Sequence, residues 1–112
     1  MNLSEVVERL NLKVFSGRTE LGRAVSGGYA SDLLSDVMAH GQKDQLWVTL
    51  QVHPNIIAVA VLKEMSAIIL VNGREPAPET TEQAEQKGVP VLGTSLGTFE
   101  FAGRLYALGV KG

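Results

Sequence analysis

The chain has 112 residues, of which 45% are hydrophobic and 20% charged, with a formal net charge of −2 and no cysteine. This length and apolar content suffice for one domain with its own core, covering residues 1–112. The near-neutral charge gives no electrostatic reason to expect a nucleic-acid partner, and the lack of cysteine excludes disulfides and thiolate metal sites and favours a reducing cytoplasm.

The N-terminal segment MNLSEVVERLNLKV is charged and is not expected to be a signal peptide. The longest apolar run, Ile56 to Leu62, is far too short to cross a bilayer, so no membrane partner is predicted. The first third of the chain predicts a short helix, one or two strands of uncertain direction, and a second helix. Ser4 is the predicted cap of the first helix, and LKVFS and AVSGGYA predict the strands. The periodicity of DLLSDVMAHG predicts the second helix, from Asp32 to a stop at Gly41.

From Gln45 onward, strand and helix patterns alternate three times. The segments QLWVTLQV, AIILVNG and VPVLGT predict strands, and the apolar run of the second is typical of a strand covered on both faces. Helices are predicted to begin at Pro54, at Pro78 and at Ser95 or Thr98. Short connections between these elements favour right-handed crossovers. The sequence therefore predicts a three-layer α/β/α domain with a mostly parallel sheet of four to five strands.

Polar side chains concentrate where the predicted strands end. Because ligands collect at the carboxyl ends of parallel strands, these loops supply the ligand-binding candidates Ser31, His53, Asn55, Asn72, Arg74, Thr94 and Ser95. Free N–H groups at the helix starts that follow favour an anion. The same residue types are ordinary helix caps, so the capping interpretation stays open and is the favoured one.

The glycine-rich stretch GRTELGRAVSGGYASDLL adds Arg23, Ser26, Gly27 and Gly28 to the ligand-binding candidates. It matches neither the P-loop pattern G-x-x-x-x-G-K-[ST] nor the dinucleotide fingerprint G-x-G-x-x-G. A bulge or a close backbone approach at Gly27 and Gly28 is therefore favoured over a phosphate cradle. Arg23 is interpreted either as a contact to an anion or acidic partner, or as a solvated side chain.

No catalytic residue, metal site or cofactor is predicted. His53 is placed where an acid–base group could act, but a capping or loop role is favoured because no serine or carboxylate is evident beside it. His40 is expected to stabilise the end of its helix, and two histidines on separate elements make a poor metal signal. Asp32 and Asp36 are interpreted as an exposed acidic pair, with divalent-cation binding as the less favoured alternative.

The last predicted helix carries more large apolar side chains than one helix needs to bury. Its interface candidates are Phe99, Phe101, Leu105 and Tyr106. We expect these residues to divide between the core and a subunit contact.

Three separated blocks of sequence together resemble the DRTGG domain family. They are GRAVSGGYASDLLSDVM, LWVTLQVHPNIIAVAVLKEMSAIILVNGREP and FEFAGRLYALG, and the likeness runs from about Leu12 to Gly109. In the family's short signature, Arg23, Gly27 and Gly28 are kept. Gly22 stands at the aspartate position and Ser26 at the threonine position. Serine keeps the hydroxyl, whereas glycine removes a carboxylate that could have paired with the arginine.

The resemblance implies a small α/β module similar to the N-terminal domain of HPr kinase/phosphorylase. Such modules occur alone, or beside catalytic or CBS domains in bacterial and archaeal proteins. The resemblance thus implies a regulatory or dimer-forming unit with no defined biochemical activity. Kinase activity is rejected because this chain lacks a P-loop.

We therefore predict a non-catalytic, homodimeric, cytoplasmic module that acts through a partner protein or a small regulatory ligand. The alternative is a nucleotide or anion sensor with an adenine nucleotide-type ligand at the carboxyl ends of the strands. A small hydrolase or transferase, using His53 with Ser31 or Thr94, is the third and least favoured hypothesis.

Overall fold

A five-stranded sheet with the order β1-β5-β4-β3-β2 organises the computed structural model, which describes residues 1–112. The strands are β1 (Lys13–Ser16), β2 (Gly27–Ala30), β3 (Gln45–Thr49), β4 (Ala67–Leu70) and β5 (Val91–Gly93). Strands β2 to β5 run parallel to one another, and β1 pairs antiparallel with β5 at one edge. The predicted mostly parallel sheet is confirmed, and it has five strands.

Helices cover both faces of this sheet. On one face lie α1 (Leu3–Arg9) and α5 (Thr98–Ala107), and on the other lie α2 (Leu34–His40), α3 (Asn55–Leu62) and α4 (Pro78–Lys87). Strands β2, β3, β4 and β5 occupy successive positions along the sheet, in chain order. The three connections between them have the same handedness, so their helices α2, α3 and α4 all lie on one face. The predicted three-layer α/β/α architecture is confirmed.

The central strand β4 and its neighbour β3 are buried on both faces. Every residue of β3 and of β4 is buried, as the continuous apolar sequence of β4 predicted. Trp47 and Ile68 belong to the core beneath α2, α3 and α4, whereas Leu46 and Ile69 belong to the core beneath α1 and α5. Burying one such large apolar side chain stabilises the fold by about 1.5–3 kcal/mol. No helix reaches the length and hydrophobicity that crossing a bilayer requires.

The first helix has a different cap from the predicted one. Asn2, not Ser4, is the N-cap of α1: its Oδ1 accepts the backbone N–H of Glu5 at 3.0 Å. The Glu5 carboxylate accepts the Asn2 N–H in return at 3.1 Å, which completes a capping box. The predicted cap is two residues too late, because asparagine and serine are equally good N-caps and the residue type alone does not distinguish Asn2 from Ser4.

The second helix begins at Leu34 rather than at Asp32. The Asp32 carboxylate lies outside the helix and accepts hydrogen bonds from the Thr49 hydroxyl at 2.9 Å and from the Leu50 N–H at 2.7 Å. Asp32 therefore ties the loop after β2 to the end of β3. Asp32 is exposed, but it precedes α2 and so does not lie one helical turn from Asp36 on the same helix.

The later helices follow the sequence closely. α4 begins at Pro78 and ends before Gly88, whose φ of 68° is the left-handed conformation expected of a C-terminal glycine. α3 begins one residue after Pro54. Of the two predicted starts for the last helix, Thr98 is the first residue of α5, and Ser95 lies in the preceding loop.

Candidate functional site

The carboxyl ends of the four parallel strands lie at one edge of the sheet. The loops that follow these strand ends carry seven of the ligand-binding candidates, Ser31, His53, Asn55, Asn72, Arg74, Thr94 and Ser95. The structure therefore brings these seven residues to the same edge, which we call the carboxyl edge. The opposite end of the strands is the amino edge.

Several polar side chains at the carboxyl edge hold their own loops in place. The Nδ1 of His53 accepts the Asn55 N–H at 3.1 Å at the start of α3. The hydroxyl oxygens of Ser31 and Thr94 each accept, at 3.2 Å, the backbone N–H two residues further along. These are turns within the loops and not helix caps, because no side chain caps α2, α3 or α5, so the capping interpretation is wrong in this respect. The hydrolase or transferase hypothesis needs His53 bonded to the hydroxyl of Ser31 or Thr94, and neither bond is formed.

The loops after β4 and β5 are clamped together by their backbones. Asn72 and Gly73 both have left-handed backbones, with φ of 59° and 67°. In this conformation the Asn72 N–H donates to the carbonyl of Leu96 and the Gly73 N–H to that of Thr94, both at 2.8 Å. The clamp fixes the path of the chain just before Arg74, which is exposed.

A cleft of about 240 Å³ opens beside this clamp, and we call it the β1/β5 cleft. It is lined by Asn11, Lys13, Phe15, Gly73, Arg74, Glu75, Gly93, Thr94 and Ser95. Lys13 and Arg74 bring two cations to it. The Lys13 Nζ lies 4.0 Å from a Glu75 carboxylate oxygen, but both side chains are well exposed, so this ion pair contributes about 0–1 kcal/mol.

The sequence identified only part of this cleft. Arg74, Thr94 and Ser95 were predicted, because they follow strands. Lys13 and Phe15 were missed, because β1 runs antiparallel and so brings its first residues, not its last, to the carboxyl edge. Predicting Lys13 and Phe15 would have required knowing the direction of β1, and the residue pattern of a four-residue strand does not specify its direction.

Arg23 lies at the amino edge, away from the carboxyl-edge candidates. Its guanidinium donates to the carbonyls of Gly88 at 2.6 Å and Ser66 at 3.4 Å, and it pairs with the Glu20 carboxylate at 3.1 Å. Since Ser66 and Gly88 precede β4 and β5, Arg23 fastens the long β1–β2 connection to the sheet. The Arg23 guanidinium is therefore bonded to its own chain rather than fully solvated, and Glu20 is its acidic partner. The arginine also borders an amino-edge cavity of about 360 Å³.

The remaining glycine-stretch candidates hold the start of β2. The Ser26 hydroxyl donates to the Lys43 carbonyl at 2.8 Å, and the Gly28 N–H donates to the Lys111 carbonyl at 2.8 Å. A Cβ on Gly27 would stand 2.6 Å from the Lys111 carbonyl oxygen, so only glycine admits the C-terminal segment here. The favoured close backbone approach at this pair is confirmed. The grouping of these residues with the carboxyl-edge candidates is wrong, because residues that begin a strand lie at its amino end.

The four interface candidates on α5 separate into two pairs. Phe99 is 94% exposed and Tyr106 is 59% exposed. Phe101 and Leu105 are buried, at 0% and 3% exposure, in the core between α5 and the sheet. The four residues thus divide between core and surface, as predicted. Phe101 and Leu105 lie four residues apart on the helix face turned toward the sheet, so these two are not interface residues, and Phe99 and Tyr106 remain as candidates.

Sequence reasoning also missed a polar cluster on the surface beside α2. The Tyr29 hydroxyl donates to the Asp36 carboxylate at 2.7 Å, and the His40 Nδ1 lies 3.1 Å from the other carboxylate oxygen. The hydrogen bond from Tyr29 lowers the pKa of Asp36 below its ordinary value, and the same bond raises the pKa of Tyr29. The i,i+4 spacing of Asp36 and His40 was visible in the sequence, but their contact with Tyr29 crosses from helix to strand. No group of three or more His, Cys, Asp or Glu side chains is arranged to hold a metal ion.

These features define a class of protein: a compact α/β/α domain whose sheet ends present polar loops, with exposed aromatic side chains on one outer helix. The sequence model of the DRTGG domain family matches residues 5–108, and the chain therefore belongs to that family. The resemblance inferred from the three sequence blocks is thus confirmed. No curated protein matches the chain in sequence.

A solved structure with the same fold comes from the regulatory region of a pyrophosphatase. It contains the CBS and DRTGG domains of the regulatory region of Clostridium perfringens pyrophosphatase, complexed with the activator diadenosine tetraphosphate. The two chains superpose with a TM-score of 0.70 and are 15% identical. The match covers 98% of the present chain and 47% of the clostridial one, so this chain spans about half of that structure's length.

Proposed function

We propose that this DRTGG domain is a regulatory interaction module that forms a homodimer through α5. The observation that carries the proposal is the exposure of Phe99 and Tyr106, since a phenylalanine that is 94% exposed gains nothing from the fold of its own chain. Exposed aromatic side chains are enriched in protein interfaces. The occurrence of a DRTGG domain in the regulatory region of the clostridial pyrophosphatase supports the regulatory part of the proposal.

The two exposed aromatic residues stand at the two ends of a row of side chains along α5. We call this row the α5 stripe, and it consists of Phe99, Ala102, Gly103 and Tyr106. Spacings of three, four and seven residues place these four on one side of the helix. A Cβ on Gly103 would meet no atom of the chain within 4 Å. Glycine inside a helix costs about 1 kcal/mol relative to alanine, so the chain's own packing gives no reason for Gly103. Close approach of a partner helix would explain a glycine at this position.

The α5 stripe is suited to pairing with itself. Phe99 and Tyr106 are separated by about 10 Å along the helix axis, with the two small residues between them. If two copies of α5 cross in antiparallel fashion about a two-fold axis near Gly103, Phe99 of one copy meets Tyr106 of the partner subunit, and the converse contact follows by symmetry. A groove of about 270 Å³ continues from Tyr106 to the edge strand β2 and would enlarge the contact.

The test compares two substitutions on the same helix. Gly103→Leu places a bulky side chain in the α5 stripe, and it should favour the helix in the folded monomer. Arg104→Leu adds a similar side chain about a third of a turn away from the stripe, at a residue whose only ion pair is an exposed one with Glu100. Size-exclusion chromatography with light scattering should show a dimer for the wild type and Arg104→Leu and a monomer for Gly103→Leu. Equal masses for the two variants would contradict the proposed surface.

A second candidate function is a nucleotide or anion sensor at the carboxyl edge. It is favoured by one observation, that Lys13 and Arg74 line the same cleft as the hydroxyl-bearing residues Thr94 and Ser95. The nucleotide activator bound to the clostridial regulatory region supports a nucleotide as the ligand class. Thermal unfolding with inorganic pyrophosphate and adenine nucleotides tests it, because a ligand at a hundred times its dissociation constant adds about 2.7 kcal/mol of stability. No shift with any of these anions would exclude this function.

A further inference from the structure

The β1/β5 cleft has an aromatic wall as well as cations. Phe15 lies in a bulge, where the pairing of β1 with β5 shifts register between Val14 and Ser16. Its ring lies against Gly93 of the neighbouring strand: a Cβ on Gly93 would be 2.6 Å from Phe15 Cε2. The absence of a side chain at Gly93 therefore lets the ring rest on the β5 backbone while it lines the cleft.

A cation already lies near this ring. The Lys13 Nζ is 5.0 Å from the centroid of the Phe15 ring, within the range of a cation–π contact. The Lys13 side chain is 66% exposed, so it is free to leave the ring for another partner. Its weak pairing with Glu75 presents no large barrier to that movement.

We infer that the β1/β5 cleft binds a nucleoside phosphate, with the base stacked on Phe15 and the phosphate held by Lys13 and Arg74. An aromatic wall in the same cleft as two cations suits a planar group that carries an anion, and stacking on an aromatic side chain is open to every nucleobase. The volume of the cleft, about 240 Å³, is below the range of pockets that bind drug-sized ligands. The cleft therefore has room for a single nucleoside phosphate but not for a whole dinucleotide. This inference rests on the second proposed function and names its ligand class and residues.

The test compares two ligands that differ only by the base, AMP and ribose 5-phosphate, by isothermal titration against the full chain. Stacking of one base corresponds to a difference of about 5- to 140-fold in dissociation constant, and AMP should bind more tightly by a factor in that range. Phe15→Leu should abolish the difference by weakening AMP alone, and Phe15→Tyr should retain it. Arg74→Gln should weaken both ligands, and the control Arg104→Gln on the opposite face should weaken neither.

The outcomes separate this inference from the anion-sensing function. Equal affinity for AMP and ribose 5-phosphate would overturn the stacking role of Phe15 while leaving an anion site in place. If Phe15→Leu still bound AMP more tightly than ribose 5-phosphate by the wild-type factor, the base would lie elsewhere and the inference would be overturned. Binding of neither ligand would overturn both. Nuclear Overhauser contacts between the adenine protons of AMP and the Phe15 ring in the wild type give a readout that does not depend on any variant folding, and their absence at saturating AMP would also overturn the inference.

Discussion

Two phenylalanines on α5 allow a matched test of which helix face belongs to the core. Phe99 and Phe101 are two residues apart, yet the first is 94% exposed and the second is completely buried. Phe101→Ala would remove a buried ring and leave a cavity, so it should lower the free energy of unfolding by about 3–5 kcal/mol. Phe99→Ala leaves no cavity in the folded chain, and its effect on the monomer should stay within about 0.5 kcal/mol.

Urea unfolding measures both substitutions with a natural probe. The chain has one tryptophan, Trp47, and it is completely buried, so its fluorescence should change when the domain unfolds. Measurement at low protein concentration keeps self-association from adding to the stability of the wild type. A loss below about 1 kcal/mol for Phe101→Ala, or equal losses for the two variants, would refute the assignment of the helix faces.

Two further substitutions probe contacts that cross the fold. Gly27→Ala would place a methyl group 2.6 Å from the Lys111 carbonyl oxygen and should cost about 1–3 kcal/mol, whereas Gly22→Ala, with no atom within 4 Å, should be neutral in the same urea assay. Tyr29→Phe removes the hydrogen bond that chiefly lowers the pKa of Asp36. A carboxyl whose pKa is lowered on folding stabilises the folded state above the ordinary pKa of 3.8, and this stabilisation is lost as the pH falls through the pKa of the folded state. The wild type should therefore have a higher urea midpoint than Tyr29→Phe at neutral pH. The difference between the two midpoints should narrow in strong acid. A gap independent of pH would contradict the role of Asp36.

The parallel part of the fold was predictable because its signals are local. An apolar run such as that of β4, followed by Pro78 at a helix start and Gly88 at its end, specifies strand, helix and turn within one short segment. Repetition of this unit then specifies the crossovers and the three layers. The direction of β1 was not predictable in this way, because its partner β5 lies more than seventy residues away in sequence.

The candidate site was predicted in part for the same reason. Residues that follow a parallel strand, such as Asn72 and Arg74, were placed at the correct edge by topology alone. The sequence could not place Arg23 and Gly27 at an edge of the sheet, because their contacts with Gly88 and Lys111 join segments far apart in sequence. No local pattern distinguishes an arginine that binds a ligand from one that binds the backbone of its own chain.

The pairing of Phe101 and Leu105 on the buried face of α5 was available from helical periodicity, since they are four residues apart. The sequence analysis expected the apolar residues of the helix to divide between core and surface but did not assign each residue to a face. Once Phe101 is assigned to the core, the exposure of Phe99 and Tyr106 remains to be explained, and the proposed subunit contact explains it.

Sedimentation velocity of the wild-type chain across a hundredfold range of concentration tests the central proposal most directly. We expect the weight-average sedimentation coefficient to rise with concentration toward that of a dimer, and to stay at the monomer value for Tyr106→Asp, which changes an exposed side chain of the α5 stripe. A wild-type chain that remains monomeric at the highest concentration, or a Tyr106→Asp variant that dimerises as the wild type does, would contradict self-association through α5.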